Sequence, residues 1–228
     1  MIVNHRHRFI FLKTKKTAGT SIEIALSRYC DANDIVTKIG HRDEPKRQAL
    51  GYQGPVNHLE PFDGSLKARF DRWLHGPRHR YWNHMPADEV RAKVGEATWS
   101  SYFKFCFERN PWDRAISQYH WENRSKRALP SFIDYLPEME RRGLVSNWDT
   151  YAIDGRVAVD RVYRYEELDE ALGDIRQRLS LPGPLELPDA KRGVRRDTRP
   201  YRDVYGERER EFVARACARE IREFGYEF

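Results

Sequence analysis

Two short segments carry residue types that could grip a multiply charged anion. The first is Lys15-Lys16-Thr17-Ala18-Gly19-Thr20-Ser21. Gly19 lets backbone approach closely, Thr20 and Ser21 offer hydroxyl donors, and Lys16 adds a mobile positive charge. At a strand-to-helix turn, where N–H groups point outward, these parts would cradle a phosphate or sulfate. The loop is not a Walker A sequence: the first glycine of GxxxxGK[ST] is missing and Lys16 precedes Gly19. Taken alone, it reads equally as a solvated basic strand end with Thr20 or Ser21 capping a helix. The second segment is Arg109-Asn110-Pro111-Trp112-Asp113-Arg114-Ala115-Ile116-Ser117. The planar fork of Arg109 suits a phosphate, and Ser117, about two helical turns on, could donate to a remaining oxygen. Taken alone, Arg109 could instead pair with Asp113, leaving Ser117 incidental.

Both segments need a strand before them and a helix after. Phe9-Ile10-Phe11-Leu12 is a compact apolar run that reads as a buried strand, and Thr20 to Arg28 follows as a helix. Phe103-Lys104-Phe105-Cys106-Phe107 is the next strand, with Pro111 in the first turn of its helix. Asp160 to Tyr165 is a third, shorter strand before a helix over Glu166 to Leu179, whose Leu168, Ala171, Leu172, Ile175 and Leu179 share one face. A helix starts at Pro86, and a last one runs from about Val204 to Phe224. Residues 38–64 hold scattered Gly, Pro and charge and read as a long irregular excursion, a kind of segment that is more often functional than idle. Repeated strand–turn–helix units predict an α/β fold: a P-loop-like three-layer arrangement with a central parallel sheet flanked by helices.

Composition narrows the class. The chain has 228 residues, a length suited to one domain spanning 1–228. It carries 41 Lys and Arg against 35 Asp and Glu, a net +6 that predicts acidic partners. With 6 Trp, 12 Tyr and 11 Phe, it is too aromatic to be disordered. No apolar run approaches the roughly 18–20 residues that span a bilayer, and Met1 to Phe9 is too interrupted by charge for a secretory signal. Cys30, Cys106 and Cys217 are odd in number and form no CxxC pair, which points to a reducing cytoplasm rather than a disulfide framework or zinc knuckle.

Taken together, the two segments resemble the sulfotransferases that use 3′-phosphoadenosine 5′-phosphosulfate (PAPS), in the carbohydrate-sulfotransferase-like branch known as sulfotransferase family 2. Lys16-Thr17-Ala18-Gly19-Thr20-Ser21 is similar to the loop that binds the 5′-phosphosulfate. The Arg109 to Tyr119 segment is similar to the element that binds the 3′-phosphate, with Arg109 and Ser117 as its contacts. The ending Phe224-Gly225-Tyr226-Glu227-Phe228 also resembles family C-termini. Lys15 stands where many members have Pro, which leaves the loop backbone less constrained while removing no donor.

The resemblance implies transfer of a sulfuryl group from PAPS to an acceptor hydroxyl, with a carbohydrate or other small molecule as acceptor, no metal, no nucleic-acid partner and no integral membrane segment. Lys16 would neutralise charge on the departing oxygen, as in phosphoryl transfer. His84, in Trp82-Asn83-His84-Met85-Pro86, is the first choice of base, with His58 and Glu60 as rivals; it could instead cap or pack beside the helix that follows. Lys191 and Arg195 lie in a late basic run that in the family closes over the 3′-phosphate. Tyr81, Trp82, Trp121, Trp148 and Tyr151 could form a sugar-stacking platform or simply core. Two other readings remain open: a P-loop-type nucleotide kinase, and a non-enzymatic nucleic-acid binder whose affinity falls steeply with salt.

Overall fold

The computed structural model describes residues 1–188 and 199–228. The first half of the chain holds β1 (Ile2–Asn4), β2 (Phe9–Phe11), α1 (Gly19–Ser27), β3 (Ile35–Val36), α2 (Glu44–Ala49), α3 (Leu66–His75), α4 (Ala87–Val94), α5 (Glu96–Ser101) and β4 (Phe103–Glu108). After it come α6 (Pro111–Glu122), α7 (Phe132–Arg141), α8 (Trp148–Tyr151), β5 (Ala152–Ile153), β6 (Arg156–Val157) and β7 (Arg161–Arg164). The chain closes with α9 (Leu168–Arg178), α10 (Glu207–Ala216) and α11 (Ala218–Phe224).

Among the described residues, five strands form the central sheet in the order β3-β1-β2-β4-β7, and β5 and β6 make a separate small hairpin. Strands β2, β4 and β7 run parallel, as expected, but β1 pairs antiparallel with both β2 and β3. The sheet is therefore mixed, not purely parallel. The departure arises in Asn4, whose side-chain oxygen accepts from His7 N at 2.6 Å and whose amide donates to Asp34 Oδ2 at 2.8 Å. That turn folds the chain back on itself within the charged stretch His5 to Arg8.

Alternation along the strands sends side chains to two faces. Phe9, Phe11, Phe105 and Phe107 point to one face and pack with Ile22 and Leu26 of α1 and Ile175 of α9. Ile10, Leu12 and Cys106 point to the other and pack with Val90 of α4, Trp99 of α5 and Trp148 and Tyr151 of α8. Each of these buried large side chains contributes roughly 1.5–3 kcal/mol relative to exposure. Helices thus cover both faces of the sheet. A third apolar cluster joins α6, α7 and α10 through Ile116, Leu136 and Val213.

Two further regions differ from expectation. The last helix is broken at Cys217 (φ −114°, ψ 25°), whose buried thiol donates to Val145 O at 3.3 Å. The break turns Glu220 inward to accept from Ser146 Oγ at 2.5 Å and Asn147 N at 3.2 Å. The 38–64 excursion contains α2, anchored by the fully buried Arg47, whose guanidinium pairs with Glu44 and donates to Thr37 O.

Candidate active site

Parallel strands carry their successive loops to one end, and in open α/β sheets ligands sit outside the carboxyl ends of the strands. A cavity of about 470 Å³ lies at that end. Residues following β2 (Lys13 to Ser21), β4 (Arg109) and β7 (Tyr165) all line it.

The β2–α1 loop is tightly built. Leu12 N donates to Phe105 O at 2.9 Å, which carries the pairing one residue past β2. The Thr14 hydroxyl then donates to the carbonyl of Phe107 and lies 2.8 Å from Thr17 Oγ1. Lys16 (φ 63°) and Ala18 (φ 57°) are left-handed, a conformation that costs a non-glycine residue about 1–2 kcal/mol. Ala18 starts α1 without any side-chain cap, so nothing on its side chain can accept from the N–H groups of the first turn. Gly19 is demanded by a close approach: a Cβ there would fall 2.8 Å from Lys13 Cγ. Lys13 is buried and fixed by an ion pair, Nζ to Glu23 Oε2, at 2.7 Å. Burial alone would raise the Glu23 carboxyl, but the Lys13 ammonium prevails and holds it down at about 2.

A residue far along the chain clamps this loop. The Asn147 side chain accepts from Lys15 N at 2.9 Å and donates to Lys15 O at 3.1 Å, gripping both polar groups of that residue. The expectation that Lys15 leaves the loop backbone less constrained does not hold here: this clamp constrains it through an N–H that proline would lack. The Asn147 amide also donates to Glu108 Oε1 at 3.2 Å, and Glu108 accepts from Tyr151 OH at 3.0 Å and Arg109 N at 2.9 Å. Burial pushes the Glu108 carboxyl up, opposed by the Arg114 guanidinium, whose Nε lies 3.3 Å away.

The second segment is completed by protein groups. Asn110 caps α6, its side chain accepting from Trp112 N at 3.1 Å and Asp113 N at 3.4 Å. Arg109 pairs with Asp113 Oδ2 through Nε (2.9 Å) and Nη2 (2.6 Å), the arrangement left open by the sequence. Its third nitrogen, Nη1, donates to Lys16 O at 3.2 Å, and its guanidinium stacks 4.5 Å from the centre of the Tyr165 ring. Arg109 therefore joins the two segments directly. Ser117 lies one helical turn after Asp113, half-buried on the cavity wall.

His84 completes the cavity from the α4 side. It too is left-handed (φ 62°), and its Nδ1 lies 2.8 Å from Lys13 O. A carbonyl only accepts, so Nδ1 carries the proton and Nε2 keeps its lone pair. Burial, reinforced by the charges of Lys13 and Lys15, pushes the imidazole down to about 3. Lys16 Nζ sits 4.9 Å from the centre of the Trp121 ring, which Arg124 also stacks against at 4.0 Å. Among the described residues, three of the seven left-handed non-glycine residues, Lys16, Ala18 and His84, line this one cavity, the kind of clustering that marks functional sites.

The structure thus brings Lys16, Thr17, Ala18, Gly19, Thr20, Ser21, His84, Arg109 and Ser117 to one cavity. His58 and Glu60 are not on its wall: His58 packs near His79, ring centres 5.7 Å apart, and Glu60 lies 3.8 Å from Lys93. Lys191 and Arg195 lie outside the described residues. Of the five aromatics, Trp121 lines the cavity, whereas Tyr81, Trp148 and Tyr151 are buried in the core and Trp82 packs against it. Lys13, Asn83 and Tyr165 on the wall, and Asn147 behind it, carry no local motif of their own. Among the described residues, no group of three or more His, Cys, Asp or Glu could hold a metal ion, and no helix is long and apolar enough to cross a membrane.

The sulfotransferase family model Sulfotransfer_2 matches residues 1–227. An uncharacterized protein of Archaeoglobus fulgidus is 31% identical over 114 residues, covering 45% of this chain and 88% of that protein. No solved structure matches.

Proposed function

This chain belongs to the sulfotransferase family, and on that premise we propose that it moves a sulfuryl group from PAPS to an acceptor hydroxyl, with a carbohydrate as the favoured acceptor, by in-line displacement. The observation that carries this reading is the convergence of the β2–α1 loop, Arg109, Ser117 and His84 on one cavity. Its volume, about 470 Å³, lies within the usual range for small-molecule sites. The residues present suit the donor: an uncapped helix start with left-handed residues before it favours an anion, and Arg109 with Ser117 offers donors for a second one. We read β2–loop–α1 as a P-loop-like unit and residues 1–228 as one functional domain, because the cavity draws on segments from Lys13 to Tyr165. The three free cysteines support a cytoplasmic setting.

The donor supplies an activated sulfuryl group on an already stable leaving phosphate. The rest falls to the chain. N–H groups at the start of α1, with the hydroxyls of Thr17, Thr20 and Ser21, orient the 5′ end. The Lys16 ammonium offsets charge that develops on the departing oxygen, a contribution realised only in the transition state. Arg109 and Ser117 hold the 3′-phosphate, and Lys191 and Arg195 are assigned to the same group on the family resemblance. His84 accepts the acceptor's proton at Nε2, its orientation set by the bond from Nδ1 to Lys13 O.

Thermal shift with 3′,5′-bisphosphoadenosine (PAP), AMP and ATP tests the reading. Strong stabilisation by PAP and little by AMP is expected, since only PAP engages both segments. Equal shifts with all three, or none with PAP, would remove it. Radiolabelled PAPS offered with a panel of sugars then identifies the acceptor.

A further inference from the structure

The 61–77 segment projects from the body on a short antiparallel neck. Leu59 bridges His79, Glu60 N donates to Arg78 O at 2.9 Å, and Arg80 N donates to His58 O at 2.9 Å. The projection carries α3, whose apolar side is left open. Its half-buried Asp71 pairs with Arg78 of the neck at 3.1 Å, and the exposed Arg72 stacks 5.4 Å from the centre of the Phe62 ring. Its apolar side faces solvent. Leu66 is 83% exposed, Phe70 59%, Trp73 78% and Leu74 54%. At 3.6 residues per turn these four side chains fall within about 100° of arc, a single continuous stripe. None of them belongs to the three apolar clusters formed by the described residues.

A stripe of Leu, Phe and Trp on a helix with a basic remainder is the composition of helices that lie in a membrane surface. The charge fits that occupant. Residues 61–80 contain Lys67, Arg69, Arg72, Arg78 and Arg80 against Asp63 and Asp71, so the projection is cationic within an already basic chain. Arg69 is exposed one position before Phe70, where its guanidinium can reach headgroups while its stem follows the apolar stripe. Trp73 supplies the amphipathic ring that favours the interface. The length also fits: ten residues of helix, about 15 Å, cannot cross a bilayer but can lie along one.

We propose that α3 is an interfacial helix that docks the protein on an anionic lipid surface, its Leu66–Phe70–Trp73–Leu74 stripe entering the headgroup boundary and its basic residues meeting the lipid charge. The stripe provides the attachment and the charge provides the selectivity. Lipid docking by α3 would be read by binding alone, whatever reaction the cavity performs.

The test is co-sedimentation of the full chain with vesicles of phosphatidylcholine alone and of phosphatidylcholine with about one quarter phosphatidylglycerol. Wild-type protein should sediment at least tenfold better with the anionic vesicles. Phe70→Glu and Trp73→Glu, both on exposed positions, should each remove most of that binding while leaving the circular dichroism spectrum and the thermal shift with PAP unchanged. Trp73→Phe should retain it. Failure to sediment with anionic vesicles, equal sedimentation with neutral ones, or binding undiminished by the Glu variants would each overturn the proposal. So would a concentration-dependent dimer that forms without lipid and is lost in the same variants, since the stripe would then belong to a second copy of the chain.

Discussion

The β2–α1 and β4–α6 junctions share a topology and differ in how they are finished. Both leave adjacent parallel strands and lead into a helix, after seven residues at β2–α1 and two at β4–α6. At β4–α6 the protein supplies a cap and an ion pair: Asn110 caps the helix, Pro111 occupies its first turn, and Asp113 takes one edge of the Arg109 guanidinium. At β2–α1 it supplies position without completion. Ala18 offers no cap, two residues are held left-handed, and Asn147 and Lys13 fix the loop from behind. One junction is closed by its own side-chain cap, whereas the other starts its helix without one, the feature that the proposed donor would use. Strain that the surrounding structure holds in place is characteristic of pre-organised sites.

The largest expected effect comes from the unfinished junction. Lys16→Ala should lower turnover about 10²–10³-fold, the usual consequence of removing one transition-state donor, while PAP affinity changes little. Turnover and PAP binding measured side by side check this, and a change confined to KM would refute the role given to Lys16. The finished junction should respond differently. Arg109→Ala should reduce the preference for PAP over AMP by roughly 10–100-fold, as for loss of a charge-assisted bond of about 1.5–3 kcal/mol. Asp113→Asn should move the same ratio the other way, because it releases the guanidinium that Asp113 now holds at 2.6 Å. Calorimetric titration of both nucleotides decides; an unchanged ratio in Arg109→Ala would detach that residue from the 3′-phosphate.

How far each junction can be read from sequence follows the same division. Lys16, Gly19, Arg109 and Ser117 sit in local strand–turn–helix patterns, where an apolar run meets Gly or Pro, so their neighbourhood announces them. The pairing of Arg109 with Asp113 is also local, an i,i+4 contact, and sequence leaves it open only because phosphate and carboxylate satisfy the same fork. Asn147 is different. Its clamp on Lys15 crosses 132 positions, and nothing around it marks an amide needed elsewhere. Strand β1 is hidden for a similar reason: three residues followed by a run of His and Arg conceal a hairpin that Asn4 closes. Local chemistry is legible, and long-range support is not.

A smaller effect separates the two junctions by stability alone. Asn110→Ala should cost about 1 kcal/mol, the common loss for an N-cap, and lower Tm by roughly 2–4 °C in a chain of this size. PAP binding should survive, because Asn110 serves the helix rather than the cavity. At β2–α1 no such cap exists to delete, and the counterpart is indirect: Asn147→Ala frees Lys15 N and O and should weaken PAP binding as well as lower Tm. Scanning calorimetry with and without PAP distinguishes the two. If Asn110→Ala lost PAP binding to the same extent as Asn147→Ala, the contrast between finished and unfinished junctions would collapse.

The smallest expected change concerns His84, which the first junction recruits through Lys13 O. Burial and the neighbouring Lys13 and Lys15 lower its pKa to about 3, so it is already neutral throughout the range from pH 5 to 8. Acidification therefore should not remove its capacity to accept a proton there. An imidazole with the ordinary pKa of about 6.5 would instead lose roughly 25-fold of its neutral form between pH 7 and pH 5. The 3′-phosphate itself titrates near that range, so the informative quantity is the ratio of kcat/KM between wild type and His84→Gln at each pH. Because kcat/KM reports the free enzyme, the ratio should stay within about twofold from pH 5 to 8. A ratio that falls with an apparent pKa near 6.5 would mean that His84 is far more exposed to water than its contact with Lys13 implies, and a ratio near one at every pH would return the proton to another group.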